Sequence, residues 1–299
     1  MSEQGKKPRG VARVLRAMDT SDGAGVSLKR SVGSPQLDML DPFLMLDSIS
    51  TDNADEYIAG FPEHPHRGFE TVTYMLTGEF EHRDSAGHAG QLKPGDVQWM
   101  TAGRGVVHSE MPSARIMEQG GRVHGFQIWV NLPSRLKMTE PRYQEVAASN
   151  IPEASSEDGL ARVRVIAGEA LGVAACIDTH TPIVYQHWIL QPGANIEQPL
   201  AEDHNALLYV FSGELISAGT SLADGEMGVL GKGDSVNLSV PETASVPAQV
   251  LLLGGVPIGE PVVQHGPFVM NTMKEIGQAI EDYQQGKMGI IDSSQGRPD

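Results

Sequence analysis

One eight-residue pattern occurs twice. Thr73-Tyr74-Met75-Leu76-Thr77-Gly78-Glu79-Phe80 is matched, at an offset of 135, by Leu208-Tyr209-Val210-Phe211-Ser212-Gly213-Glu214-Leu215. Leu92-Lys93-Pro94-Gly95-Asp96 and Leu230-Gly231-Lys232-Gly233-Asp234 form a second, weaker pair at an offset of 138. Each octapeptide is a β-prone run closed by a glycine turn, so each reads as a strand leading into another strand. In a chain of 299 residues, self-similarity at so long a period means two copies of one domain and not a solenoid.

The runs between the turns are short. Val11–Arg16 and Val26–Val32 have strand character, and Asp41-Pro42 precedes an apolar segment, 43–47, that is either a strand or a plug over a cavity. Thr71–Leu76, Phe80–Asp84, Val97–Thr101 and Val123–Asn131 follow, with Pro94-Gly95-Asp96 and Gly103-Arg104-Gly105 as turns between them. The second half repeats the style at 161–167, 183–190, 207–211, 236–240 and 250–253. Many short strands with close turns and little helix predict an all-β fold, a sandwich or barrel of the jelly-roll kind in each copy. Residues 1–10 read as a disordered start, 132–141 as a linker and 150–159 as a polar loop. A single helix is expected at the end. Thr272 and Glu275 form a capping box, Met273, Ile276, Ala279, Ile280 and Tyr283 share a face, and Gly286 stops it.

Against this β background, His64-Pro65-His66 stands out, followed about forty residues later by His108-Ser109-Glu110. Side chains two apart on a strand share a face, so His64 and His66 face one way on one strand, and His108 and Glu110 on another. Glu70 has the same parity as His64 and His66. Laying the strands side by side gives five candidates, His64, His66, Glu70, His108 and Glu110, for about four protein positions on a metal ion. Imidazoles with carboxylate and no thiolate suit Zn, Fe, Ni, Cu or Mn and leave positions open for small molecules. The other histidines, at 82, 88, 124, 180, 187, 204 and 265, read as ordinary surface or core residues. Arg67 and Arg104 beside the ligand strands either hold an anion or form salt bridges. Phe43, Met45, Met100 and Phe126 read as core first and as pocket lining second.

Composition narrows the partners. The balance of 22 basic and 38 acidic residues, net −16, disfavours direct contact with nucleic acid and anionic membranes. The single cysteine, Cys176, excludes an internal disulfide and is expected to be a small buried apolar residue. No apolar run approaches a membrane span, and none follows the basic Met1–Arg9 stretch as a secretory signal would require. A cytoplasmic location is expected, or a nuclear one in a eukaryote.

The longer motifs carry a resemblance. Gly60-x-x-x-His64-x-His66-x-x-x-Glu70-x7-Gly78, then Pro94-Gly95-Asp96 and His108, resembles the two cupin motifs. His64–Val72, Gln98–Gly105, His108–Pro112 and Gln264–Thr272 resemble the signatures of the pirin family of bicupins. The resemblance implies one iron, Fe(II), held by His64, His66, His108 and Glu110, with Glu70 left outside the ligand set; other divalent transition metals fit the same set. It implies a metal-binding barrel over 1–133 and a barrel without metal ligands over 134–299, ending in the helix. Carried to the second copy by the two offsets, the five positions fall on Pro199, Ala201, Asn205, Val246 and Ala248, none able to hold iron. The implied activity is a dioxygenase that opens a flavonol such as quercetin with O2, with Glu110 as general base. The alternative is a redox-sensing regulator that binds a transcription factor or metabolic enzyme. A different small-molecule cupin reaction, such as an isomerisation, also fits the ligand set.

Overall fold

The repeated octapeptides become equivalent central strands, Phe69–Thr77 and Asn205–Ser212, each ending at a glycine with positive φ: Gly78 at 87° and Gly213 at 74°. These turns need glycine, because a Cβ at Gly78 would press on Val123 and the Arg122 carbonyl, and one at Gly213 on the Pro247 carbonyl. The computed structural model describes residues 7–291, which divide into two units. Each unit is an antiparallel cupin barrel made of one seven-stranded and one four-stranded sheet. Among the described residues no helix is long and apolar enough to cross a membrane.

The first unit comprises Met18–Met39, Phe43–Ala148 and the chain from Ile258 onward. Its large sheet runs in the order Arg142–Val146, Val97–Thr101, Phe69–Thr77, Val123–Asn131, Phe43–Thr51, Val26–Val32, Met18–Asp22. Its small sheet runs Phe61–His66, Val106–Pro112, Phe80–Asp84, Ala89–Leu92. The second unit comprises the chain up to Ala17, Leu40–Pro42 and Ser149–Pro257, with sheets in the same relative order. The units therefore do not follow one cut after residue 133. Strand Val11–Arg16 pairs with Glu226–Leu230 at the edge of the second unit's sheet, and the C-terminal helix Met273–Gln284 packs in the first unit. Local periodicity marks an element but not the sheet edge it completes.

Several local readings change for related reasons. Of the proposed disordered start, residues 1–6 lie outside the described residues; Pro8 bridges Ser235, and the Arg9 guanidinium is buried against the carbonyls of Ala201, His204 and Gly231. The proposed linker holds Lys137, whose buried ammonium donates to Gly68 O, Asn131 Oδ1 and Val269 O at 2.7–3.0 Å. Burial lowers the pKa of that ammonium to about 8. The segment 43–47 is the start of a strand, and within the loop of 150–159 lies a short strand, Glu153–Ser155. Cys176 is exposed. The helix has the expected cap, with Thr272 Oγ1 accepting from Glu275 N, but only Ile276 and Ala279 of the proposed face are buried; Met273 and Tyr283 are exposed.

The interiors of the two units differ along one line of directly opposed residues, a rung, that crosses each large sheet. In the first unit the rung reads Arg30, Asp47, Gln127, Thr73, Gln98, Glu145. In the second it reads Val165, Gln186, Leu252, Leu208, Gly228, Val14. Thr73 and Leu208 head the two octapeptides, so the rungs correspond. The second rung feeds a continuous apolar core that includes Val165, Trp188, Leu208, Val250 and Leu252. Each such side chain contributes roughly 1.5–3 kcal/mol on burial. The first rung borders a cavity of about 600 Å³.

Candidate metal centre

The strands Phe61–His66 and Val106–Pro112 pair antiparallel, with His108 opposite His64 and Val106 opposite His66. Period 2 then puts all three imidazoles on one face, and their ring nitrogens converge within 4.8 Å. His64 Nε2 lies 3.0 Å from His66 Nε2, while His64 Nδ1 lies 2.7 Å from the Pro62 carbonyl oxygen. A carbonyl only accepts, so Nδ1 carries the proton and Nε2 presents its lone pair to the cluster. Two nitrogens each about 2.1 Å from one ion, at a right angle to each other, also lie about 3.0 Å apart.

His66 and His108 are buried, and both are held well below the ordinary histidine pKa. Burial is the main cause for both. The neighbouring imidazoles add to it, His64 on His66, and His66, His64 and His82 on His108; the Pro267 carbonyl opposes it for His66. Both are therefore neutral at pH 7, the state that binds metal. Both ring nitrogens of His108 are buried without a hydrogen-bond partner. Orphaned buried polar atoms are costly and need an explanation, and a cation at the focus of the cluster supplies one for the nitrogen that bears the lone pair. The donor set fits a divalent transition metal.

The carboxylates separate. Glu70 is fully buried on Phe69–Thr77 of the large sheet, opposite Thr101 and Val130, and accepts from the Thr101 hydroxyl at 2.6 Å. Glu110 lines the cavity, but the pairing register shifts between it and His108, which blurs the simple period-2 relation. Its Oε1 lies 3.1 Å from the Thr73 hydroxyl and its Oε2 accepts from Gln127 Nε2 at 3.1 Å. Among the described residues the convergent group contains the three histidines and neither glutamate.

Four residues of the polar rung, Arg30, Asp47, Thr73 and Gln127, line the cavity. Asp47 takes a two-bond grip from Arg30, at 2.8 and 2.6 Å, and Asp22 touches the same guanidinium at 2.8 Å. Burial raises Asp47 to about 6, with Arg30 pulling the other way. Met45, Phe126 and Trp129 give the cavity apolar walls, whereas Phe43 and Met100 belong to the core. Part of the rim comes from the far end of the sequence: Gln264, Gly266 and Pro267, from the hairpin Val263–Met270. That hairpin lies so close to Gly68, φ 90°, that a Cβ there would strike the Val269 carbonyl. Arg67 and Arg104 are salt-bridged, Arg67 to Asp282 of the C-terminal helix and Arg104 to Glu140, so the anion-binding reading of the pair falls away. Gly103-Arg104-Gly105 is a turn with positive φ at both glycines.

Arg30, Asp47, Thr73 and Gln127 had no motif to announce them. The one available signal was Gln127, an amide set between Phe126 and Ile128 in the strand Val123–Asn131, and only the strand register shows which residues face it.

Among the described residues the second unit offers no equivalent cluster. Its strands in the places of the ligand strands, Asn195–Pro199 and Ser235–Ser239, contain no histidine. The offset of 138 had pointed elsewhere, to Val246 and Ala248. Pro94-Gly95-Asp96 precedes strand Val97–Thr101, whereas Lys232-Gly233-Asp234 precedes Ser235–Ser239, the counterpart of Val106–Pro112. The two turns match in sequence and not in place, because loop lengths differ between the copies.

Two cupin barrels, of which one gathers three imidazoles, define a bicupin with a single metal-capable barrel. The chain belongs to the pirin family: the pirin model matches residues 25–130, and that of the pirin C-terminal cupin domain matches residues 185–289. It is 49% identical over 298 residues to a pirin-like protein of Solanum lycopersicum, covering 99% of this chain and 98% of that one. To pirin of Homo sapiens it is 44% identical over 285 residues, covering 94% of each. The crystal structure of a quercetin 2,3-dioxygenase from Acinetobacter baumannii superposes with a TM-score of 0.86 at 35% identity, covering 95% of this chain and 99% of that one.

Proposed function

We propose that the chain is an Fe(II)-dependent dioxygenase that opens flavonols such as quercetin with O2, its ion held by His64, His66, His108 and Glu110. The observation that carries this reading is the convergence of three imidazoles beside a cavity of about 600 Å³. Such a volume is that of a small-molecule site. Similarity to a quercetin 2,3-dioxygenase supports the substrate class. When bound, the ion supplies a Lewis-acidic, redox-active centre with positions open to a flavonol and O2. Met45, Phe126 and Trp129 flank the planar ring system. Glu110 accepts the proton of the flavonol 3-hydroxyl on a carboxylate oxygen, and Gln127 orients that carboxylate.

The test is quercetin absorbance loss together with O2 uptake, in protein loaded anaerobically with Fe(II) and then exposed to air. Loss of both signals in His64→Ala, in parallel with loss of bound iron, is the expected result. Undiminished turnover by metal-stripped protein would contradict it. The net charge of −16 supports a second reading, an iron-dependent regulator that meets a basic partner. Absence of turnover, with partner capture that differs between ferrous and ferric protein, would select that reading.

A further inference from the structure

Glu110 sits beside the three imidazoles without joining them, and the polar rung shows what holds it. Thr73 Oγ1 lies 2.6 Å from Gln127 Oε1 and 3.1 Å from Glu110 Oε1. A hydroxyl has one proton, and the shorter contact takes it. Thr73 therefore donates to the Gln127 carbonyl oxygen. That contact fixes the orientation of the amide and turns Nε2 toward Glu110 Oε2, 3.1 Å away. Thr73, Gln127 and Asp47 are direct cross-strand neighbours, which places the Thr73 hydroxyl where it can hold the amide. Glu110 is 5% exposed, and a buried carboxylate is strongly attached to whichever donor it has.

Resting on the reading that Glu110 is the fourth ligand, we infer that Gln127, oriented by Thr73, is a positioning residue that competes with the metal for the Glu110 carboxylate. It holds Glu110 off the three-histidine cluster and so sets how readily the fourth ligand joins. The second barrel is consistent with this role. There the strands without histidine go with Leu208 and Leu252 at the two rung positions, and nothing remains for an amide to hold.

Cobalt(II) is the probe, because its ligand-field absorption reports coordination number independently of turnover. It is titrated into metal-free full-length protein against a competing chelator. Gln127→Met keeps the shape and removes the donor. It is expected to bind cobalt about tenfold tighter, equivalent to 1.4 kcal/mol, with the weaker absorption bands of a higher coordination number. In a Glu110→Gln background the same substitution is expected to change neither quantity. Thr73→Val, which frees the amide without removing it, is expected to shift both in the same direction by less, and it serves as the test should Gln127→Met fail to fold.

The two levels fail differently. If Glu110→Gln alone leaves cobalt affinity and spectrum unchanged, Glu110 is no ligand and the underlying reading falls. If Glu110→Gln weakens binding but the Gln127 and Thr73 variants bind with unchanged or lower affinity, the competition is overturned and the ligand assignment stands.

Discussion

The two barrels are built on the same sheet order and differ in what their large sheets point inward. Along matching rungs, the second barrel places Val165, Leu252 and Leu208 where the first places Arg30, Gln127 and Thr73. The second fills its interior with apolar side chains; the first leaves a cavity of about 600 Å³ bordered by polar ones. The hollow barrel's polar groups find partners in one another: Arg30 with Asp47, Thr73 with Gln127, Gln127 with Glu110, Gln98 with Glu145. Leaving the buried ones, Asp47, Gln98 and Glu110, unpaired would cost about 1–3 kcal/mol each. Outside the cavity, the C-terminal segment adds a small core of Phe268, Met270, Ile276 and Ala279 packed with Val107. A site and a stable barrel are thus separable demands, and this chain meets them in different copies of one fold.

The comparison can be broken most decisively at the histidines. His108→Ala in the first barrel is expected to lower metal affinity by more than the roughly 10–100-fold typical of outer partners, with His204→Ala in the second leaving it unchanged; chelator competition checks both. Equal losses would mean that the barrels are not functionally distinct. The next largest effect lies in the rungs. Leu252→Gln buries an amide in a filled core and is expected to cost about 3–5 kcal/mol in urea unfolding. Gln127→Leu, at the cavity wall, is expected to cost only about 1–2 kcal/mol, mainly for the donor Glu110 loses.

The smallest effect concerns the C-terminal segment. Lys287 first, and then Arg67, hold Asp282 down to about 2. A carboxylate whose folded pKa is depressed stabilises the fold above its unfolded pKa of about 3.9, and that stability is lost as pH falls toward the folded value. Asp282→Asn is therefore expected to destabilise by about 1 kcal/mol at pH 6, and the gap from the parent protein should close between about pH 4 and pH 2. A gap that persists at pH 2 would remove the ion pairs as its cause.

The sequence revealed the strands, the duplication and the three histidines, because each is written in local periodicity: glycine after an apolar run, His-x-His, a capping box at Thr272 and Glu275. It hid whatever depends on register. Val11–Arg16 reads as a strand but not as the edge of a sheet whose neighbour, Glu226–Leu230, lies more than two hundred residues away. Lys137 reads as a linker residue until Gly68 and Val269 come to it. Glu70 and Glu110 have equally good parity, and a register shift at His108 and Glu110 is invisible to a rule based on parity. The offset of 138 misled because two glycine–aspartate turns look alike at different places in the barrel.

The central claim is that one barrel holds one ion between three histidines. Anomalous diffraction from crystals of iron-loaded protein, collected at the iron edge, tests it most directly. The account predicts a single strong peak per chain, about 2.0–2.2 Å from a ring nitrogen of each of His64, His66 and His108. A peak in the second barrel, or a peak in the first that leaves His108 unbound, would contradict it.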